Sequence, residues 1–195
     1  MTYLSVDIDF WMKHRDYANL RNFLELAKGA SPNIYIVDSH EGLKAHVNKS
    51  GCINLINVDY HSDIYDIKNF DHNGEINYNC GTWVNFVNCR NKGRFTWIHP
   101  HIGGKGIDRG YCHVETRRNF RNINPFFNPS IADWFSTYKI ETNNPEKHID
   151  WGDIGAVGIA FSYAWLRSGI RDEIVKVAKE VLGKRPPVNP RALLH

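Results

Sequence analysis

The chain has 195 residues, 42% of them hydrophobic, which suits one domain with one sizeable core and leaves little room for two. Its net charge of +3 and pI near 8.6 are mild, and Lys and Arg are scattered apart from short groups such as Arg117, Arg118 and Arg121. Nucleic-acid binding is therefore not expected. No run approaches the roughly 18 apolar residues of a membrane span. Cys52, Cys80, Cys89 and Cys112 show no CxxC spacing, which excludes a zinc knuckle or a thioredoxin-like motif. With no signal peptide, free thiols in the reducing cytoplasm are the expectation.

In chain order, Tyr3 to Asp7 reads as a strand, and Asp16 to Lys28 as a helix with Leu20, Phe23, Leu24 and Ala27 at helical spacing. Gly29, Ser31 and Pro32 end that helix. Asn33 to Val37 is a second strand, Glu41 to Asn48 a short helix, and Ile53 to Val58 a third strand whose β-branched content marks it as buried. Asp66 to Asn79 is polar and reads as a loop, and Gly81 to Cys89, with Trp83, Val84, Phe86 and Val87, as a helix. Arg94 to Ile98 is a fourth strand. The glycine-rich HIGGKGIDRG that follows lacks the order of a phosphate-cradling loop and reads as a loop over the site. Tyr111 to Trp151 reads as irregular. Ile154 to Phe161 is a strand, Arg171 to Leu182 an amphipathic helix closed by Gly183, and residues 184–195, with three prolines, a loosely held tail. Strands alternating with helices predict an α/β fold, a three-layer α/β/α domain over residues 1–195 with a mostly parallel sheet.

Three of these strands run directly into metal-type ligands: YLSVDIDF, NIYIVDSHEG and INLINVDYHSDI. In open α/β sheets the crevice beyond the carboxyl ends of the strands is where ligands bind. Asp7, Asp9, His40, Asp59, His61 and Asp63 are thus expected to converge there. Asp59, His61 and Asp63 lie at period two, as do Asp7 and Asp9. A structural role for the triplet would require three polar residues to find unrelated partners at one spot. Four aspartates in one crevice need protons or cations between them. Two divalent ions balance the four negative charges, with aspartates bridging ions roughly 3.5 to 4 Å apart. Oxygen ligands with some imidazole and no thiolate favour Mn²⁺, with Zn²⁺, Fe²⁺ and Co²⁺ compatible. The fourth strand ends in His99, Pro100 and His101, and His99 is placed as a proton shuttle.

The combination of DxHxD after one strand, DxD after another and a His from a third resembles the arginase and deacetylase superfamily. More closely, IVDSHEGLKAHV, INVDYHSDI, GTWVNFV and FTWIHP are similar to the arginase-like family of uncharacterised proteins that includes the peptide arginases. The likeness covers roughly the first hundred residues. It implies one metal on His40, Asp59, Asp63 and Asp7, and the other on His61, Asp9 and the shared Asp59 and Asp7. In ureohydrolases the DxD strand follows the DxHxD strand, whereas VDIDF comes first here, so the resemblance implies an arginase-like fold with permuted strand order.

The resulting expectation is a binuclear hydrolase of a carbon–nitrogen bond, splitting the guanidino group of arginine or an arginyl peptide into urea and ornithine. His99 would protonate the departing amine, Asp59 would bridge the metals, and Asp38, Glu41 or Glu115 would hold the guanidinium. Other readings are a single-zinc deacetylase, a phosphoesterase, and a non-catalytic binding protein on a decayed scaffold. A homo-oligomer is compatible with all of them.

Overall fold

Six parallel strands form one sheet in the computed structural model, which describes residues 1–12, 14–63, 78, 80–89, 92–101, 136–163, 166 and 168–183. They are β1 (Thr2–Asp7), β2 (Ile34–Val37), β3 (Asn54–Val58), β4 (Arg94–His99), β5 (Ser136–Glu141) and β6 (Ile154–Ala160), in the spatial order β2-β6-β1-β3-β4-β5. Among the described residues three helices accompany them: α1 (Tyr17–Ala30), α2 (Lys44–Ser50) and α3 (Ser168–Leu182). The α/β, parallel-sheet expectation holds. Cys112, Glu115, most of the 66–79 loop, the glycine-rich segment beyond His101 and the 184–195 tail lie outside the described residues. No helix among the described residues is long and apolar enough to cross a membrane.

Parallel strands buried on both faces must be apolar on both, and β1 is buried at every position. Leu4 and Val6 point to one face, where they meet Leu20, Phe23, Leu24 and Ala27 of α1 and Ile174, Val177, Ala178 and Val181 of α3. Tyr3 points to the other, with Leu43, Val47 of α2, Leu55, Trp83 and Trp97. Helices on both faces give the layered arrangement.

Four expectations need correction. The chain from Gly81 to Cys89 forms only a 3₁₀ turn, Trp83–Phe86, because its apolar residues fill a pocket against the sheet over less than two helical turns. The irregular region contains β5, a strand whose Tyr138 is 48% exposed at the sheet edge and so lacks an apolar run. The helix after β2 begins as a 3₁₀ turn, His40–Leu43, before α2. Helix α1 runs through Gly29 to Ala30, with Asp16 capping it by accepting from the Asn19 backbone N–H.

The connection from β1 leads to β2 on one side of the sheet, and those from β3 lead to β4 and β5 on the other. Between β1 and β3 the chain therefore departs to opposite sides, which opens a crevice at their carboxyl ends. The turn holding His40 reaches this crevice from β2 by lying across β6. Gly158 permits that approach: a Cβ there would sit 2.5 Å from Tyr3 Oη and 2.6 Å from a Leu43 methyl. Gly158→Ala should destabilise the fold by about 1–3 kcal/mol, the usual cost of overpacking. Denaturant unfolding measures it, and an unchanged midpoint would show that the turn is not seated on this glycine.

Candidate metal centre

Strand β1 ends at Asp7, whose carboxylate accepts the Asp9 N–H at 3.1 Å and caps the 3₁₀ turn Ile8–Trp11. Asp9 thus belongs to that turn rather than to a continued strand, a correction to the period-two reading. It still faces the crevice, accepting the Tyr60 N–H at 3.4 Å. Beyond β3, Asp59 is held on both sides. Its Oδ1 accepts the His61 N–H at 2.8 Å, its Oδ2 accepts from Asn57 Nδ2 at 3.2 Å, and its carbonyl accepts from Trp97 Nε1 at 3.0 Å.

His40 is buried, with Nε2 2.6 Å from Ser5 Oγ. Its Nδ1 faces three carboxylates, at 2.7 Å from Asp63, 3.0 Å from Asp59 and 3.3 Å from Asp7, yet makes no well-aligned hydrogen bond. One proton cannot satisfy three acceptors converging on one nitrogen, and this is the arrangement a cation would satisfy. On the other side of Asp59, His61 Nδ1 lies 3.3 Å from Asp9 and 3.8 Å from Asp59. Asp7, His40 and Asp59 offer ligand atoms within 4.8 Å of one another, and so do Asp9, Asp59 and His61. These side chains could hold a metal ion, and Asp59 belongs to both sets, turning Oδ2 to His40 and Oδ1 to His61. Asp63 touches His40 but stands outside the tighter sets, its Oδ2 also accepting from Trp83 Nε1 at 2.6 Å.

Burial and mutual repulsion set the electrostatics. Burial, then Asp9 and Asp59, hold Asp7 well above the usual carboxylate range. Burial and Asp59 raise Asp9, and burial and Asp63 raise Asp59. For the imidazoles burial works downward, but the carboxylates prevail: His40 is held well above its ordinary value, and His61 is pushed up to about 10 by Asp9 and Asp59. Cys80 is pushed up to about 11 by burial and the charges of Asp63, Glu41 and Asp7, so it presents a thiol rather than a thiolate.

Two of the three non-glycine residues with positive φ among those described belong to this centre: Asp63 at 56° and Ser162 at 42°. Such backbone costs roughly 1–3 kcal/mol and persists where surrounding structure enforces it. Ser162, at the end of β6, donates its hydroxyl to Asp7 Oδ2. Sequence reasoning missed Ser5, Asn57, Trp83 and Ser162. Ser5 and Asn57 had a readable signal, being polar residues inside buried strands two positions before Asp7 and Asp59.

The remaining candidates stand around the same rim. His99 is 2% exposed and level with Asp59, since Val58 pairs with Ile98. Its Nε2 is buried without a hydrogen bond, and burial together with Lys139 pushes it down to about 4, so it is neutral at pH 7. Asp38 is half-buried at the end of β2, outside the metal-type sets. Glu41 is also half-buried, its carboxylate accepting the Ser39 hydroxyl. No family model, curated protein or solved structure matches this chain.

Proposed function

We propose that the protein is a binuclear metallohydrolase of the ureohydrolase type, hydrolysing a guanidino carbon–nitrogen bond, most simply that of arginine or an arginyl side chain. The observation that carries this reading is Asp59, whose two carboxylate oxygens face two separate His-containing sets. Asp7, His40 and Asp63 would complete one ion's ligands, and Asp9 and His61 the other's. A single-zinc deacetylase would need only one such set. The oxygen-rich donors, with Cys80 protonated, favour manganese. Divalent ions bound there supply a water of lowered pKa and positive charge opposite the charge that develops on addition.

The chain's own residues would do the rest. His99, neutral at the start, takes the proton lost by the attacking water on Nε2 and returns it to the departing amine, so its role begins as a base. Asp38, which forms no ion pair among the described residues, would hold the guanidinium better than Glu41, already bonded to Ser39. Elemental analysis of purified protein should find two manganese ions per chain. Urea should then be released from at least one of free arginine, agmatine or an arginyl peptide. One tightly bound zinc and no urea from any of the three would overturn the proposal.

A further inference from the structure

The 3₁₀ turn that carries Asp9 leads into a cavity of about 490 Å³ lined by Phe10, Trp11, His14, Arg15, Asp16 and Asn143. Its volume suits a small organic molecule. It sits at the same carboxyl rim as the metal-type ligands. His14 Nε2 is 3.1 Å from the His101 carbonyl just past β4, and Asn143, just past β5, accepts the His101 N–H at 2.8 Å. The cavity is therefore bounded by the turn that carries Asp9 on one side and by the chain just past β4 and β5 on the other.

Among the described residues, Arg15 is the one Lys or Arg that lines the cavity, and its guanidinium has no hydrogen-bond or ion-pair partner among them. Its side chain is exposed, and its carboxylate neighbour Asp16 is engaged in capping α1. The Asn143 amide places neutral hydrogen-bonding capacity opposite. An unpaired planar fork beside an amide matches a carboxylate, which it can bind through two parallel hydrogen bonds. Asp16 in the same wall penalises a doubly charged phosphate more than a singly charged carboxylate.

We propose that this cavity binds a carboxylate group, and that in the reaction it seats the acidic end of a substrate whose other end reaches the Asp and His centre. The second half rests on the metallohydrolase reading; the first does not. The first is tested by nuclear magnetic resonance on the full chain, following the Asn143 side-chain amide N–H signals, which the Arg15 variants retain, during titration with N-acetylglycine and, separately, inorganic phosphate. N-acetylglycine should shift the signals saturably, and the effect should vanish in Arg15→Gln and weaken in Arg15→Lys, which keeps charge but not the fork. No saturable shift, or tighter binding of phosphate, would overturn the carboxylate site.

The second half is read from KM for arginine against agmatine, which lacks the carboxylate. Arg15→Gln should raise KM for arginine about 10- to 100-fold more than for agmatine, the usual worth of a charged hydrogen bond. Equal changes would detach the cavity from the reaction. Absence of turnover of either compound would count against the metallohydrolase reading alone, leaving the titration to decide the cavity.

Discussion

Asp59→Asn is expected to abolish metal binding at both positions and to reduce turnover at least about 10³-fold. Removing a single electrostatic donor at a reacting centre commonly costs 10²–10³ in rate, and this substitution removes a ligand from both sets at once. Unfolding should not confound the result. Asn preserves acceptor capacity for the His61 N–H, and it removes one of the buried charges that raise Asp7 and Asp9. Metal-free Asp59→Asn should therefore unfold at the same or a higher temperature than metal-free wild type. His61→Ala should behave differently, because His61 is the half-open member of its set while His40 is enclosed. It should lose one ion and keep the other, so inductively coupled plasma analysis should read near zero for Asp59→Asn and near one for His61→Ala. Two retained ions in Asp59→Asn would refute the shared-ligand arrangement. Ser5→Ala, which withdraws the partner of His40 Nε2, should weaken metal affinity about 10- to 100-fold, as loss of an outer-shell partner does.

The strands that build the crevice were legible because parallel strands buried on both faces read as uninterrupted apolar runs, and their polar ends mark where the runs leave the sheet. Asp7 and Asp59 follow from that logic alone. Other parts depend on contacts that no local pattern encodes. His40 reaches the centre because its turn settles on Gly158, far along the chain on β6. Ser162 reaches Asp7 because β6 inserts beside β1, an adjacency set by topology rather than by sequence distance. Strand β5 was missed because an edge strand satisfies half its neighbours with water and can carry Lys139 and Tyr138 where a central strand cannot. Trp83 looked helical because the spacing of its apolar neighbours also fits a single 3₁₀ turn, and only the hydrogen bond from its Nε1 to Asp63 distinguishes its role.

Metal-free protein should lose stability as pH rises from 7 to about 9.5, against the common pattern in which stability is level there. Every resolved shift among the centre's ligands is upward: Asp7, Asp9, Asp59, His40 and His61. A raised value means the folded state holds protons that the unfolded chain has released, so stability falls with pH between the unfolded and folded values. For the aspartates that loss begins near their ordinary value of 3.8; for His61 it spans 6.5 to about 10. His99 opposes this, since its value lies near 4 and the folded state gains stability from pH 4 to 6.5, but that gain is complete by pH 7. Above pH 7 the centre's terms share one sign. Divalent ions would displace the protons that the metal-free centre retains, so metal binding should release protons and strengthen as pH rises. With manganese at about 1,000 times its dissociation constant the stabilisation is about 4 kcal/mol, or on the order of 10 °C in Tm for a chain of this size. Differential scanning calorimetry with chelator and with manganese, at pH 7, 8 and 9, tests both statements: the chelated curve should descend and the gap between the curves widen. A chelated Tm that is flat or rises over this range, or a gap that narrows, would mean that these side chains do not form the crowded, charge-deficient centre that calls for divalent cations.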